Sequence, residues 1–228
     1  MFRSRRAPRL ILCAAITLLP AAASAQAPVM AGVGLSYAHA TSTLGGYVGP
    51  AYGAAVLLRM TGNTFGARLD ADYLSFPATT SAHRFLGTGP EVSITTGMKT
   101  FTLTVGPEAR WRTGRFSAGL FGAVGIASFS NTSALTGLGS DPRFEGAATF
   151  NDVTLAAQGG ALFGLEVGST VTMELAARYA VTGETGFVTE ENLRTGVISG
   201  LYMVPTPTRA SLFSLRLAVF LGQVGGGS

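Results

Sequence analysis

Cysteine is almost missing from this 228-residue chain, and the single one, Cys13, excludes an internal disulfide framework and any multi-cysteine metal site. Lysine is equally scarce, with Lys99 alone. Only 12% of residues are charged, about half of the roughly 25% that a soluble domain carries. Long apolar runs are lacking as well: no stretch after residue 25 reaches 18 uncharged apolar residues, so helical membrane spans are excluded. Intrinsic disorder is excluded by the opposite property, a hydrophobic content of 47% and a mean hydropathy of +0.37. There is no His-x-x-x-His spacing, no acidic calcium loop and no phosphate-binding glycine motif. The glycine runs that do occur fall inside expected strands, without the strand-to-helix context of a nucleotide site. No cofactor and no metal are expected.

What the chain does have is a formal charge of +4 and a pI near 9.6, which at first points to nucleic acid or another acidic partner. The position of the charges removes that implication. Residues 1-9 (MFRSRRAPR) form a basic head, residues 10-19 an apolar run, Pro20 a break, and Ala23-Ser24-Ala25 a small-residue cleavage site. This is the layout of a secretory signal, so residues 1-25 are expected to be cleaved and residues 26-228 to form one domain. Ten apolar residues are too few to span a membrane. Four arginines, Arg3, Arg5, Arg6 and Arg9, leave with the signal, and the remaining twelve bases balance twelve acids. No nucleic-acid partner is expected.

The exported part alternates with period two, which is the strand signature. Phe101, Leu103, Val105, Pro107, Ala109 and Trp111 share one face, and Thr102, Thr104, Gly106, Glu108, Arg110 and Arg112 the other. Phe65 to Tyr73, Val171 to Val181 and Phe213 to Leu221 repeat the pattern. Eight strands are expected, at 29-39, 51-61, 65-75, 101-112, 116-128, 153-167, 171-182 and 211-222. Their connections alternate strictly between long (40-50, 76-100, 129-152, 183-210) and short (62-64, 113-115, 168-170). An antiparallel barrel in a membrane has this rhythm, and closure follows because lipid cannot satisfy an open sheet edge. The expectation is an all-β, eight-stranded antiparallel transmembrane β-barrel. Ten strands are the variant, if Glu91-Val-Ser-Ile-Thr and Val197-Ile-Ser-Gly-Leu-Tyr-Met-Val204 build an extra pair; as hairpins they would instead extend the barrel beyond the membrane. Pro142 and the Ser-Asp-Pro-Arg run mark 130-150 as an exposed loop. A soluble barrel or sandwich also alternates, but its outward face would not be this apolar.

Two glycine-spaced segments, Phe116-Ser-Ala-Gly-Leu-Phe-Gly-Ala-Val-Gly125 and Gly159-Gly-Ala-Leu-Phe-Gly-Leu-Glu-Val-Gly168, suit close packing in a narrow barrel. With the strand layout over residues 29-222, the chain resembles the small OmpA-like outer-membrane β-barrels of Gram-negative bacteria. That resemblance implies an outer-membrane location, contact with outer-membrane lipid and lipopolysaccharide, and insertion by the barrel-assembly machinery. It also implies roles that run from structural to adhesive, with the external ligand unknown. The chain departs from the family pattern at its end, where Phe220 is followed by eight residues rather than closing the chain. No further periplasmic domain is expected after the last strand.

The strand phases gather Arg59, Arg68, Arg110, Arg112, Arg178 and Arg216 with Asp70, Asp72, Glu108, Glu166 and Glu174 on the inward face. An eight-stranded barrel is filled by its side chains, so these groups should pair as a salt-bridged plug. A narrow porin opened by rearranged pairs is the second reading, and a proton-handling pair at Asp70 and Asp72 a variant of it. The third is a lipid-modifying enzyme. Outer-membrane lipid A deacylases and palmitoyltransferases of similar size use a His, a Ser and a carboxylate near the outer rim, and His39 and His83 lie at strand ends with Ser36, Ser42, Ser81 and Glu91 nearby in sequence. The sequence points first to a non-enzymatic structural or surface-interacting barrel.

Overall fold

A computed structural model describes residues 28–41, 45, 48–84, 91–137, 146–187, 198–199, 202–203 and 206–222. The expected export signal and the Ser140-Asp-Pro-Arg143 run lie outside the described residues. The described residues form ten strands: β1 (Val29–Ala40), β2 (Ala51–Thr61), β3 (Phe65–Arg84), β4 (Glu91–Thr113), β5 (Phe116–Gly137), β6 (Gly146–Glu166), β7 (Val171–Phe187), β8 (Ile198–Ser199), β9 (Tyr202–Met203) and β10 (Thr206–Leu221). Eight of them close into an antiparallel barrel in the order β1-β10-β7-β6-β5-β4-β3-β2, and β8 pairs with β9 in a separate two-stranded ribbon. The variant with ten barrel strands is thereby corrected, because the described residues 198–199, 202–203 and 206–210 supply only this small ribbon and the outer end of β10.

Sequence neighbours pair at tight turns on one end of the barrel. The turn at Gly114-Arg115 needs a left-handed residue, and Gly114 supplies it at φ 59°. Register carries the chain around the ring with a stagger. From Leu35 the pairing runs through Ala54, Tyr73, Phe101 and Ser128 to Val153 one way, and through Leu217 and Leu175 to Phe163 the other, so the two routes meet ten residues apart on β6. Eight strands with that shear tilt by about 35–45° and leave a lumen that side chains just fill.

The outward face is apolar over the membrane-spanning band. Leu35 is 73% exposed, and Val33, Val56, Leu120, Leu155, Leu175 and Leu217 are exposed with it. Aromatic residues rim the band at both ends. Near the long connections Tyr37 meets Tyr52 edge-on at 5.4 Å, Tyr73 pairs with Phe101 and Tyr179 with Phe213, and near the short turns Phe65, Trp111 and Phe116 face outward. Such girdles place the ends of the rings at the two membrane interfaces.

Strands β3 to β6 run seven or more residues further than their sequence pattern indicates, and β7 and β10 five. β3 continues from 75 to Arg84, β4 begins at Glu91 rather than 101, β5 continues to Gly137, and β6 begins at Gly146 rather than 153. The expected loops 76-100 and 129-152 are therefore largely a four-stranded wall rising beyond the outer aromatic rim. The reason lies in a reversal of polarity. Within the membrane β4 faces outward with Phe101, Leu103 and Val105, whereas above it Val92, Ile94 and Met98 are buried inside and Ser93, Thr95 and Lys99 face out. The apolar phase slips by one residue without any slip in the pairing of β4 with β5 there.

Arginine placed on the outward face at mid-membrane has no partner. We expect Leu217→Arg to lower the unfolding free energy by about 2–4 kcal/mol in a urea titration of the refolded barrel, and Ser130→Arg, above the rim, to change it by about 0–1 kcal/mol.

Candidate functional site

The inward positions of β2, β3, β4, β7 and β10 point into one narrow lumen, and nine of the eleven charged residues read from the strand phases meet there. Glu174 is the hub of the layer nearest the short turns. Its Oε2 accepts from Arg59 Nη1 at 2.8 Å and from Arg110 Nη2, and Arg68 Nη2 stands 3.6 Å from its Oε1. Glu108 accepts from Arg110 Nε at 2.8 Å and from Arg68 Nη1 at 3.2 Å. Phenyl rings cover two of these cations, Phe220 under Arg59 and Phe121 under Arg68, each 4.1 Å from the guanidinium carbon to the ring centre. A cation held over a ring in a site shut off from water gains roughly 1–2 kcal/mol.

A second layer sits toward the long connections. Asp70 accepts from Arg68 Nε at 3.2 Å and Arg216 Nη2 at 3.1 Å, so Arg68 joins the two layers. Asp72 takes Arg178 Nη1 at 2.8 Å and Arg216 Nη1 at 3.5 Å. Strands β3 and β7 are four places apart in the ring of eight, so Asp72 and Arg178 pair across the full width of the barrel. Ser36, Ser117, Ser214, Gln158 and Thr104 add polar contacts, with Gln158 donating to both Thr104 and Asp70. The network thus holds five guanidinium groups against four carboxylates, and the side chains of Arg216 and Glu174 are both fully buried. Gly164 makes room for it, since a Cβ there would come within 2.9 Å of Arg110 Nη1 and would also strike Ser117.

Arg112 and Glu166 stand apart. They face each other at 3.8 Å with about a quarter of each side chain exposed, at the turn end of the lumen. Above the charges, twelve buried residues form an apolar layer that includes Leu74, Phe76, Met98, Phe129, Ala210 and Leu212. Reading outward-facing positions alone missed this layer; the signal for it was the run of apolar residues at even positions of β3 and β4 just past Tyr73 and before Phe101.

Among the described side chains considered for acyl chemistry, Ser36, His39 and Glu91 do not converge. Ser36 faces inward and binds Asp72 and Arg178, whereas His39, three residues on in the same strand, faces outward. Glu91 pairs with Arg84 at 3.6 Å, both exposed on the rising wall. Ser42 lies outside the described residues. His83 occupies a register position opposite Val92, and Ser81 opposite Ile94. Among the described residues no cluster of three or more His, Cys, Asp or Glu is placed to hold a metal.

An apolar belt between two aromatic rims, a closed eight-stranded ring and a polar interior define a β-barrel of the membrane-spanning class. No family profile matches the sequence, and no curated protein matches it. Among solved structures the chain is similar to Neisserial surface protein A (NspA), with a TM-score of 0.51 and 13% identity over 85% of this chain and 96% of that one. It is also matched to Ail, the attachment invasion locus protein of Yersinia pestis (TM-score 0.49, 11% identity, 87% and 99% covered). A further match is the outer membrane protease OmpT from Escherichia coli (TM-score 0.41, 8% identity, 88% and 98% covered). The first of these supports the fold; at such identities none carries a site across.

Stranding a buried charge is costly, whereas loosening a half-exposed pair is not. Glu174→Ala, which leaves three arginines short of a partner, is expected to destabilise the barrel by roughly 3–5 kcal/mol, and Glu166→Ala by less than about 1 kcal/mol, both read from urea unfolding followed by tryptophan fluorescence.

Proposed function

We propose that this chain is an OmpA-like outer-membrane protein of a Gram-negative bacterium, exported by a signal cleaved after residue 25, with a plugged interior and a structural or surface-interacting role. The observation that carries the reading is the pairing of all four buried carboxylates with arginines across the lumen, under an apolar layer on the side of the long connections. Charges consumed by one another leave no lined path for water. The outward apolar belt supports contact with outer-membrane lipid, and the hydroxyl-bearing wall above it supports contact with lipopolysaccharide sugars. Insertion by the barrel-assembly machinery goes with that location. The external ligand is not identified by any residue pattern.

A narrow channel is the second reading, and one feature favours it. Glu108 and Glu174 share Arg59, Arg68 and Arg110, with Arg59 at 3.9 Å from Glu108 as well as 2.8 Å from Glu174, so the pairs have alternatives close by. An enzymatic role has less support, because His39 and Ser36 lie on opposite faces of β1.

Fractionation and conductance test the proposal together. The full chain expressed with its leader should sediment with the outer membrane and migrate faster on gels before heating than after. Refolded into planar bilayers it should show no stable discrete openings. Recovery from the soluble periplasm would overturn the location, and regular single-channel steps would overturn the plug in favour of the channel.

A further inference from the structure

The wall of the barrel is not laddered throughout. β6 keeps its pairing with β5 as far as Gly146, and β7 keeps its pairing with β10 as far as Phe187, opposite Thr206. Between themselves, however, β6 and β7 pair only from Glu166↔Thr172 to Ala156↔Thr182. The parting begins at a bulge, where β7 supplies Thr182 and Gly183 against Ala210 alone in β10. One extra residue inverts the faces of the strand. Below the bulge Arg178 points inward; above it Thr185 is buried and Glu184 is exposed. At the bend itself the Thr182 hydroxyl donates to the Ala210 carbonyl at 3.3 Å, and Gly183 lies so close to Thr154 that a Cβ there would strike its hydroxyl.

Beyond the bend, side chains take the place of the ladder. Asp152 of β6 accepts from the Gly186 N–H at 2.7 Å and from the Thr185 hydroxyl at 3.1 Å. Asn131 of β5 reaches over β6's neighbour position and donates to the Gly186 carbonyl at 2.9 Å and to Thr185 Oγ1 at 3.3 Å. Four hydrogen bonds from two side chains therefore fall on two consecutive residues of β7. We infer that the outer ends of β7 and β10, Gly183–Phe187 and Thr206–Arg209, form a hinged flap at the barrel mouth, bending at the Thr182-Gly183 bulge and latched by Asp152 and Asn131.

The two margins of the rising wall support this. On the β3 margin, past the end of its pairing with β2, stand Pro77, a register shift between Phe76 and Thr79, and Arg84, devices that keep a free edge from pairing. The β6 margin, Gly146 to Leu155, contains no Pro, Lys or Arg. An edge so bare needs a cover, and the flap is the segment placed to supply it. Because the seam starts at Ala156 and Thr182, three residues from the rim tyrosine Tyr179, lifting the flap joins the mouth to the outer membrane interface.

Amide hydrogen exchange on the full chain refolded in micelles tests the latch. Hydrogen bonds to a charged acceptor are worth about 1.5–3 kcal/mol, so Asp152→Ala should speed exchange at Gly186 and Phe187 roughly ten- to a hundredfold, while amides from Val171 to Val181 keep their wild-type rates. Asn131→Ala should act on the same amides, and Asp152→Asn, which keeps an acceptor oxygen, should act less than Asp152→Ala. Heat-modifiable gel mobility establishes that each variant is folded; should Asp152→Ala fail to fold, Asp152→Asn and Asn131→Ala are read by the same criteria. Unchanged exchange at Gly186 in the folded variants would overturn the latch. Equal acceleration down to Val171 would overturn the hinge, since the flap would then not move as a separate unit.

Discussion

The narrowness of the lumen governs the rest of the molecule. Eight strands staggered by ten residues enclose a narrow space, so an inward residue gains by packing against apolar neighbours or by pairing with a polar partner across the barrel. The long guanidinium side chains meet this requirement by reaching past the axis: Arg178 on β7 meets Asp72 on β3, and Arg59 on β2 meets Glu174 on β7. Small inward residues such as Gly164 are the counterpart of those long ones. The same ring that excludes lipid from the interior forces its charges to serve one another.

Sharing is what makes such a buried network tolerable. A single ion pair sealed from water recovers its desolvation cost only with good geometry and with its remaining donors and acceptors occupied. Here each carboxylate is approached by two or three arginines, Arg68 reaches three carboxylates and Arg216 two, so no acid depends on one partner. Phe121 and Phe220 occupy faces of guanidinium groups that no carboxylate reaches. The excess of one positive charge is spread over a connected set rather than left on one group. Arg112 and Glu166, near the turn end, need none of this support because water reaches them.

How much was legible in the sequence follows from where the surroundings of each strand change. Inside the membrane the outward face is apolar and the inward face polar, and that alternation is plain in the sequence through Phe65 to Tyr73 and Phe101 to Trp111. Above the outer rim the medium is aqueous and the rule reverses, so Val92, Ile94 and Met98 turn inward on the same strand whose Leu103 and Val105 turn outward. A scan for one continuous apolar phase stops at that reversal, which is why β3 to β6 read as shorter strands separated by long loops. Phe220 illustrates the other limit. Its inward parity was readable, but its service as a platform for Arg59 depends on β2 and β10 being brought together around the ring, which local spacing does not encode.

The parting of β6 from β7 belongs to the same boundary. Within the bilayer an unpaired backbone edge is prohibitive, and there the ladder between these strands is unbroken from Glu166 to Ala156. It lapses at the level of the aromatic rim, where water can satisfy a free amide and the penalty for leaving the ladder falls to that of an ordinary exposed edge. A one-residue bulge at that height turns Thr185 toward Asn131 and Asp152, two polar residues held on the β5–β6 wall. The membrane thus divides the barrel into a lower part, where closure is obligatory, and an upper part, where departures from the ladder are permitted and side chains can take over the task of holding strands together.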